Sequence, residues 1–313
     1  MKARAFLLAL LLAGSILPVA ARPIATKDLA NLKKFVAFLP GGARRVKVEG
    51  NEAVIPFTAI AGVPRGVQPM ELRVAPDAKG ETIRFYRRLP ENKDLSITRL
   101  IEAANVFNYT KVGMRVFVDT KTGEATIEYL LHCPKGIDSD TLLETVLWCF
   151  RLQNEWLLAI GADGYPIAIP VPEKEATDPV DKSKLHEVLS AKYRVQRDQD
   201  GDLFFDTPVG RVHALLDEKN GSIHLIAFLP QPPNTVSANQ VTEIANQAML
   251  DPKNSQLRIS TNPKEGILIC DTYFFFGKTA LDADNFLAAV NAFVQQYRAF
   301  GAPYQEKKPA RRK

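Results

Sequence analysis

The chain has few of the residues that build common catalytic and metal sites. Its 313 residues include three cysteines and four histidines. No two cysteines have the C-x-x-C spacing of zinc ribbons and thioredoxin-type sites. The sequence also contains no G-x-S-x-G elbow, P-loop, Rossmann glycine pattern or H-E-x-x-H motif. We therefore predict a protein that is not an enzyme, with no cofactor and no catalytic, cofactor-binding or metal-binding residues.

Long apolar runs are absent after the N-terminus, so no later segment predicts a membrane span. At the N-terminus, Lys2 and Arg4 precede a short apolar stretch, Phe6–Ile16. Val19-Ala20-Ala21 then supplies the small residues of a cleavage site. The pattern predicts a signal peptide over residues 1–21, cleaved near Ala21, and a soluble periplasmic or secreted protein without a transmembrane anchor. An uncleaved anchor is the alternative.

The cysteines, Cys133, Cys149 and Cys270, are an odd number for an exported chain, so at least one thiol is free or pairs between molecules. Cys133 falls at the end of a predicted strand and Cys149 in the next predicted helix. A bridge between these two is one interpretation. Three buried thiols that act as small core residues is the other.

The formal net charge is +5, and a basic cluster, Lys307 to Lys313, contributes to it. Such a tail, here residues 304–313, is typically solvated and disordered. Contact with an anionic envelope surface or with nucleic acid is the alternative. Because no aromatic residues interleave with the basic ones, we expect no nucleic-acid partner.

A stretch of the chain occurs twice, as Leu100–Ile160 and again as Val241–Phe300, with an offset of about 141–144 residues read from the sequence. The residues that match between the two stretches are Ser96 with Ser237, Asn105 with Asn246, Arg115 with Arg258, Gly123 with Gly266, and Glu128 with Asp271. The offset is far longer than a solenoid repeat and indicates two tandem domains. The alternative is that two unrelated α+β segments align loosely.

Hydrophobic periodicity predicts an α+β fold with the element order α-β-β-β-β-α-β-β-α in each domain. The opening helix of the first domain is predicted at Asp28–Leu39. Capping boxes at Ser237–Gln240 and Thr279–Asp282 predict two helix starts in the second. The predicted domains span residues 27–162 and 183–303, joined by a proline-rich linker at 163–182.

Some residues suggest a metal or ligand at first reading. Asp198 to Asp202 is rich in carboxylates but lacks the EF-hand spacing, so a hairpin turn is the better interpretation than a calcium loop. His213 and His224 fall diagonally on facing strands and offer two metal ligands, without a third; a structural role is the alternative. His132 beside Cys133 suggests a Cys–His pair, but neighbouring strand residues point to opposite faces.

Two further pairs have alternative interpretations. Glu128 and Asp271 occupy matching strand positions, where they are either paired carboxylates in one cleft or, as we expect, parts of solvated strand faces. Trp148 and Trp156 lie on the closing helix of the first domain. They pack either in the core alone or at a contact between domains or subunits.

Domain two, with Asp200-Gly201-Asp202-Leu203-Phe204 and the middle-helix Asn246, resembles the bacterial YbjN-like domain family. Asn105-Val106-Phe107-Asn108 in domain one resembles the paired asparagines of that family's middle helix, whereas domain two has Met249 at the second position. Members are regarded as regulators of sensory transduction. The resemblance implies a non-enzymatic protein with a fold similar to type III secretion chaperones, which bind extended polypeptide as dimers. The export signal departs from the cytosolic location expected for most members.

The sequence thus predicts an exported protein with two YbjN-like domains that binds another polypeptide as an adaptor, a chaperone-like factor or a regulator. The partner is unidentified, its binding residues are unknown, and a homodimer is a candidate assembly. The alternative is a periplasmic small-ligand sensor or enzyme with its site between the domains.

Overall fold

The computed structural model describes residues 22–57, 70–89, 94–111, 113–161, 180–230, 237–262, 267–277 and 279–304. We call residues 22–161 the first half and residues 180–304 the second half. The predicted signal peptide, the predicted linker up to residue 179, residues 263–266 and the predicted basic tail after Tyr304 lie outside the described residues.

The elements of the first half, in chain order, are β1 Pro23–Ile24, α1 Thr26–Leu29, α2 Leu32–Val36, α3 Gly42–Arg45, β2 Lys47–Glu49, β3 Glu52–Pro56, β4 Glu71–Pro76, β5 Thr82–Leu89, α4 Ile97–Thr110, β6 Arg115–Val118, β7 Ala125–His132, β8 Ile137–Asp138 and α5 Ser139–Ala159. Those of the second half are α6 Lys182–Ser190, β9 Val195–Arg197, β10 Leu203–Thr207, β11 Gly210–Asp217, β12 Ser222–Leu229, α7 Ala238–Leu250, β13 Arg258–Asn262, β14 Ile267–Phe275 and α8 Ala283–Gly301, with 3₁₀ turns at Pro252–Asn254 and Ala302–Tyr304.

Each half contains one six-stranded antiparallel sheet, and the two sheets have the same strand order. The first sheet runs β2-β3-β4-β5-β7-β6 and the second runs β9-β10-β11-β12-β14-β13. This mixture of helices and antiparallel sheets confirms the predicted α+β class. The second half follows the predicted element order from α6 to α8.

The first half departs from the predicted order at its beginning. The predicted helix Asp28–Leu39 is wrong, because the chain forms two short helices there, α1 and α2, and then α3. Asn31 interrupts the helix: its backbone is extended, and its side chain accepts a hydrogen bond from the amide of Lys34, which makes it the N-cap of α2. The small sheet of β1 and β8 was also not predicted.

Side-chain caps set the starts of the four long helices. Ser96 and Ser237 accept hydrogen bonds from the amides of the third residue after them, as their positions in the sequence predict. Asp138 caps α5 in the same way. The predicted box at Thr279 is wrong, since α8 begins at Ala283 and its cap is Asp282, which accepts from the amide of Asn285.

The closing helices α5 and α8 cover the inner faces of their sheets. Phe150 on α5 packs edge-on against Phe57, with ring centroids 5.4 Å apart. Phe286 on α8 packs against Phe274 in the same manner, also at 5.4 Å. All four rings are buried. Burial of such side chains is worth roughly 1.5–3 kcal/mol each, so these contacts are what hold helix to sheet.

The two halves meet where β6 of the first sheet lies near β13 of the second, with α4 and α7 packed over both strands. Asn246 on α7 reaches across and bonds both peptide groups of Val118. Asn105 on α4 does the same to Thr261. These contacts satisfy edge-strand groups that would otherwise be open to another chain.

Each edge strand also receives a contact from the helix of its own half. Asn108 bonds both peptide groups of Val116, at 2.7 and 2.8 Å. Met249 is its counterpart, and its sulfur accepts from the amide of Ile259 at 3.3 Å. Thioether sulfur is a weak acceptor and cannot donate, so the second edge is held less completely than the first.

No helix among the described residues is long and apolar enough to cross a membrane.

Candidate functional site

The outer face of the second sheet carries an aromatic and apolar surface that includes the exposed Phe228. Strands β11 and β12 alternate, with Val212, Ala214, Ile223 and Leu225 turned inward and buried. The opposite side chains form a surface that we call the aromatic face: Phe204, Arg211, His213, Leu215, Ile226 and Phe228. Phe228 is 47% exposed, which is unusual for a phenylalanine in the middle of a sheet.

Ring contacts fix the geometry of this face. The guanidinium of Arg211 lies 3.9 Å from the ring centroid of Phe204. His213 lies between Phe204 and Phe228, with ring centroids 5.9 and 6.3 Å away. Burial, and then the charge of Arg211, lowers the pKa of His213. The imidazole is therefore neutral at neutral pH. Phe204 is buried beneath Arg211, so the exposed apolar part of this face lies around Phe228.

The equivalent face of the first sheet is charged. Its side chains form a set of contacts that we call the charged face: Glu49, Arg73, Glu52, Tyr86, Arg84, Arg88 and Glu128. Arg73 bonds Glu49 at 2.8 Å and Glu52 at 3.1 Å. Tyr86 donates to Glu52 as well, and Arg84 stacks on the Tyr86 ring at 4.3 Å.

The strand registers place the two faces in correspondence. Tyr86 lies opposite Glu128, as Ile226 lies opposite Asp271. Arg88, two residues after Tyr86, therefore corresponds to Phe228, two residues after Ile226. Arg73, which pairs with Tyr86, corresponds to His213, which pairs with Ile226. The same positions are thus occupied by arginines in the first half and by aromatic rings in the second. The contrast shows that the aromatic face is not a requirement of the fold.

The matched carboxylates Glu128 and Asp271 lie next to these faces, and both are buried, at 2% and 3% exposure. Our expectation that they are solvated is wrong. Arg115 binds Glu128 through Nε at 2.7 Å, and Arg258 binds Asp271 through Nε at 2.7 Å and Nη2 at 2.6 Å. Each carboxylate is tied to its own arginine, which leaves neither as a free acid or base.

A second partner completes each carboxylate site. Arg84 binds Glu128 through Nε at 2.6 Å, and His224 Nε2 lies 2.8 Å from Asp271 Oδ2 at the corresponding position. Burial alone would raise the pKa of Asp271, but Arg258 and then His224 outweigh it and hold that pKa below its usual value. At Glu128, burial likewise raises the pKa, but Arg115 and Arg84 outweigh it and the pKa is lowered.

Both buried arginines also reach into the other half. Arg115 Nη1 donates to the carbonyls of Asn254 and Leu257 at 2.8 and 3.0 Å. Arg258 Nη1 donates to the carbonyl of Lys111. The ion pairs therefore organise the contact between halves, a role that the sequence pattern did not indicate.

The two histidines on the facing strands have separate partners. His213 and His224 are diagonal, as predicted, but His224 is bound to Asp271 and stacks on Tyr273 with centroids 4.1 Å apart. Among the described residues, no three His, Cys, Asp or Glu side chains are grouped to hold a metal ion.

The other candidate residues have structural roles. Asp198 is confirmed in a hairpin turn, where its carboxylate accepts from the amides of Asp200 and Asp202 at 3.1 and 2.8 Å. Cys133 donates to the carbonyl of Gly80 at 3.6 Å and does not pair with His132. Cys133, Cys149 and Cys270 are all free and buried, so the bridge interpretation is wrong.

The two tryptophans divide between the two predicted roles. Trp156 is fully buried in the first half and packs edge-on against Phe107 at 5.5 Å. Trp148 stacks on Phe275 of the second half, with centroids 4.8 Å apart and planes 10° from parallel. Tyr129 supports this contact, because its hydroxyl accepts from the amide of Phe275 at 3.1 Å.

The alternative function, a small-ligand sensor or enzyme, requires a pocket between the halves, and a cleft lies there. It is lined by His132, Asp138, Thr141, Thr279 and Asp282, with apolar residues beside them, and its volume is about 40 Å³. Pockets for small molecules have volumes of about 300–1,000 Å³. Asp138 and Asp282 are helix caps here, so their carboxylates are already partly used.

No protein-family model matches the chain, and no curated protein matches it. The resemblance to the YbjN-like family therefore stays a prediction.

Proposed function

We propose that the chain is an exported, non-catalytic protein that binds another polypeptide, as an adaptor, a chaperone-like factor or a regulator. The observation that carries the proposal is the aromatic face, in which Phe228 is half exposed beside a neutral His213. Exposed aromatic groups on an apolar surface are the usual anchors of protein recognition, because they bury much area at little cost in side-chain entropy.

The binding surface is a sheet face, which suits an extended polypeptide. Side chains along β11 and β12 alternate between the two faces, so Ile226 and Phe228 present apolar contacts two residues apart. An extended partner also presents every second side chain to one surface, with a similar spacing. Arg211 and Asp206, paired at 3.2 Å, mark the polar rim of the patch.

We further propose that the two halves are tandem YbjN-like domains, at residues 27–162 and 183–303, with a fold similar to type III secretion chaperones. The shared strand order of the sheets supports this proposal. So do the corresponding pairs Arg115 with Glu128 and Arg258 with Asp271. In this account the contact between the halves replaces a contact between two subunits.

Export to the periplasm or beyond is part of the proposal and rests on the basic, apolar and small-residue segments of residues 1–21. N-terminal sequencing of the protein recovered from intact cells tests it. We expect the exported form to begin at Arg22. A form that keeps Met1 and stays with the cytoplasm contradicts the export part of the proposal.

Binding is tested with a panel of labelled, extended peptides that differ only in their aromatic and aliphatic content. We expect fluorescence anisotropy to show saturable binding of the apolar peptides by the chain from Arg22. Phe228→Glu should weaken binding about tenfold or more, as the loss of a central aromatic contact does. Arg88→Glu, at the corresponding position of the charged face, is the matched control. Equal effects of the two substitutions, or no binding, contradict the proposal.

A further inference from the structure

The two sheets have four outer edges, and they differ in what lies against them. Edges β6 and β13 are covered by side chains from α4 and α7. Among the described residues, no strand pairs with the free edge of β2 or with that of β9. An open edge presents unpaired backbone groups that another strand can bind.

The backbone of β2 is arranged for such pairing. Glu49 lies opposite Glu52 across the two-residue turn Gly50-Asn51, and Gly50 has the positive φ of +62° that such turns use. The pair that closes a two-residue turn is hydrogen-bonded, and bonded and non-bonded pairs alternate along an antiparallel ladder. The N–H and C=O of Val48 therefore point away from β3, toward the open edge. Val48 is 53% exposed.

The side chains of β2 are complementary to themselves. In an antiparallel pair of two copies centred on Val48, Lys47 of each copy lies opposite Glu49 of the other. The pairing also exchanges two backbone hydrogen bonds between the two Val48 residues. Glu49 binds Arg73 through Oε2, which leaves Oε1 for a lysine. Lys47 makes no ion pair with the described residues, so its charge is available.

We propose that β2 is the contact through which two copies of this chain associate, with Val48 on the twofold axis and the two first sheets joined into one twelve-stranded sheet. The contact is isologous, since the same three residues supply both sides, and it closes after two copies. The proposal does not depend on polypeptide binding, because the aromatic face lies on the other sheet.

The second open edge does not fit this role. β9 has the sequence Val195-Gln196-Arg197, and antiparallel self-pairing would place Arg197 opposite Val195. It contains no carboxylate. The charges thus favour self-pairing of β2 over self-pairing of β9.

Three residues on each side make a small interface, well below the standard size of stable complexes. The dimer should therefore be weak and depend on concentration. Charge reversal gives the sharpest test. Lys47→Glu alone, or Glu49→Lys alone, places like charges opposite each other twice in the dimer. The double variant Lys47→Glu/Glu49→Lys restores opposite charges in the swapped arrangement.

The measurement is sedimentation equilibrium of the chain from Arg22, which contains every described residue, over a wide range of concentrations. We expect the wild type to shift from monomer to dimer. Each single variant should weaken the dimer about tenfold, and the double variant should recover it. Arg197→Glu on β9 is the control and should leave the association unchanged.

Val48→Pro is a second, independent variant. It removes the outward N–H, and proline is tolerated on an edge strand where that group faces solvent. We expect loss of the dimer with an unchanged thermal unfolding midpoint, which shows that the monomer is still folded. A wild type that is monomeric at all concentrations overturns the proposal. So does a dimer that both single charge reversals leave intact, or a double variant that fails to recover.

Discussion

Asn246 in the second half forms hydrogen bonds with both the N–H and the C=O of Val118 in the first half. Its Nδ2 donates to the Val118 carbonyl and its Oδ1 accepts from the Val118 amide, each at 2.8 Å. Asn105 holds Thr261 in the reciprocal direction. A carboxamide can do this because it offers one donor and one acceptor side by side. Asn105 and Asn246 thus join the two halves.

Replacing Asn246 with leucine should destabilise the whole described fold. Leucine has a similar size but no polar groups, so both peptide groups of Val118 lose their partners while buried. We expect the free energy of unfolding to fall by about 2–3 kcal/mol. Urea denaturation followed by circular dichroism measures it. Gln247→Leu is the control, because Gln247 is exposed and makes a single bond to Thr120. A change equal to that of the control contradicts the account.

The buried ion pair of Arg258 with Asp271 predicts strong non-additivity. Arg258→Met leaves the carboxylate of Asp271 buried with only His224 beside it, and should cost about 3–5 kcal/mol. The double variant Arg258→Met/Asp271→Leu removes both charges and should recover most of that loss. Arg211→Met, which breaks the exposed pair with Asp206, should change stability by about 1 kcal/mol or less. Additive effects of the two buried substitutions count against the predicted coupling.

These pairs also predict sensitivity to acid. The pKa values of Asp271 and Glu128 are lower in the folded chain than their ordinary values of 3.8 and 4.5. The unfolded chain therefore binds more protons than the folded chain over this range. The stabilising contribution of the two carboxylates is complete above about pH 5, and it is lost as the pH falls through their pKa values in the folded chain. Urea midpoints measured from about pH 6 down to about pH 3 check this. The double variant at Arg258 and Asp271 should lose less stability over the same range, and an equal loss contradicts the assignment.

The three thiols predict slow modification in the folded protein. Burial raises the pKa of Cys133 to about 12 and raises those of Cys149 and Cys270 well above the usual value. The thiolate is the reactive form, so a disulfide reagent at neutral pH should react with none of them rapidly. After denaturation without reductant, all three should react. Recovery of a single thiol after denaturation would show that a disulfide exists.

Local signals in the sequence were sufficient for much of the fold. Ser237 was predicted as a helix cap, Ser96 was matched to it, and both are confirmed as caps. The predicted hairpin turn at Asp198 is also confirmed. These features depend on a few neighbouring residues. One wrong prediction was also local. The helix was predicted to begin at Thr279, but Asp282, three residues later, is its cap and is also a good acceptor.

The burial of Glu128 and Asp271 could not be predicted in the same way. Alternation along a strand assigns them to the outer face, which is correct, but it does not show that the other half of the chain covers part of that face. Their arginine partners come from a neighbouring strand 13 residues earlier. Matching arginines and carboxylates in the two copies were the available signal, since a repeated pair of opposite charges on adjacent strands indicates a structural ion pair.

The aromatic face was missed for a related reason. Ile226 and Phe228 lie within a strongly apolar strand, where each apolar residue is expected to be buried. The exposed fraction of Phe228, and the comparison with the charged residues at corresponding positions of the first sheet, identify it as unusual. That comparison needs the ladder register, which the sequence alone does not supply.

The most direct test of polypeptide binding is site-specific photo-crosslinking in cells that export the chain. A photoreactive phenylalanine analogue is placed at Phe228 of the aromatic face in one strain and at Arg88 of the charged face in another. The account predicts discrete adducts with another polypeptide from position 228, and few or none from position 88. Adducts of equal yield from both positions, or none from position 228, would contradict it.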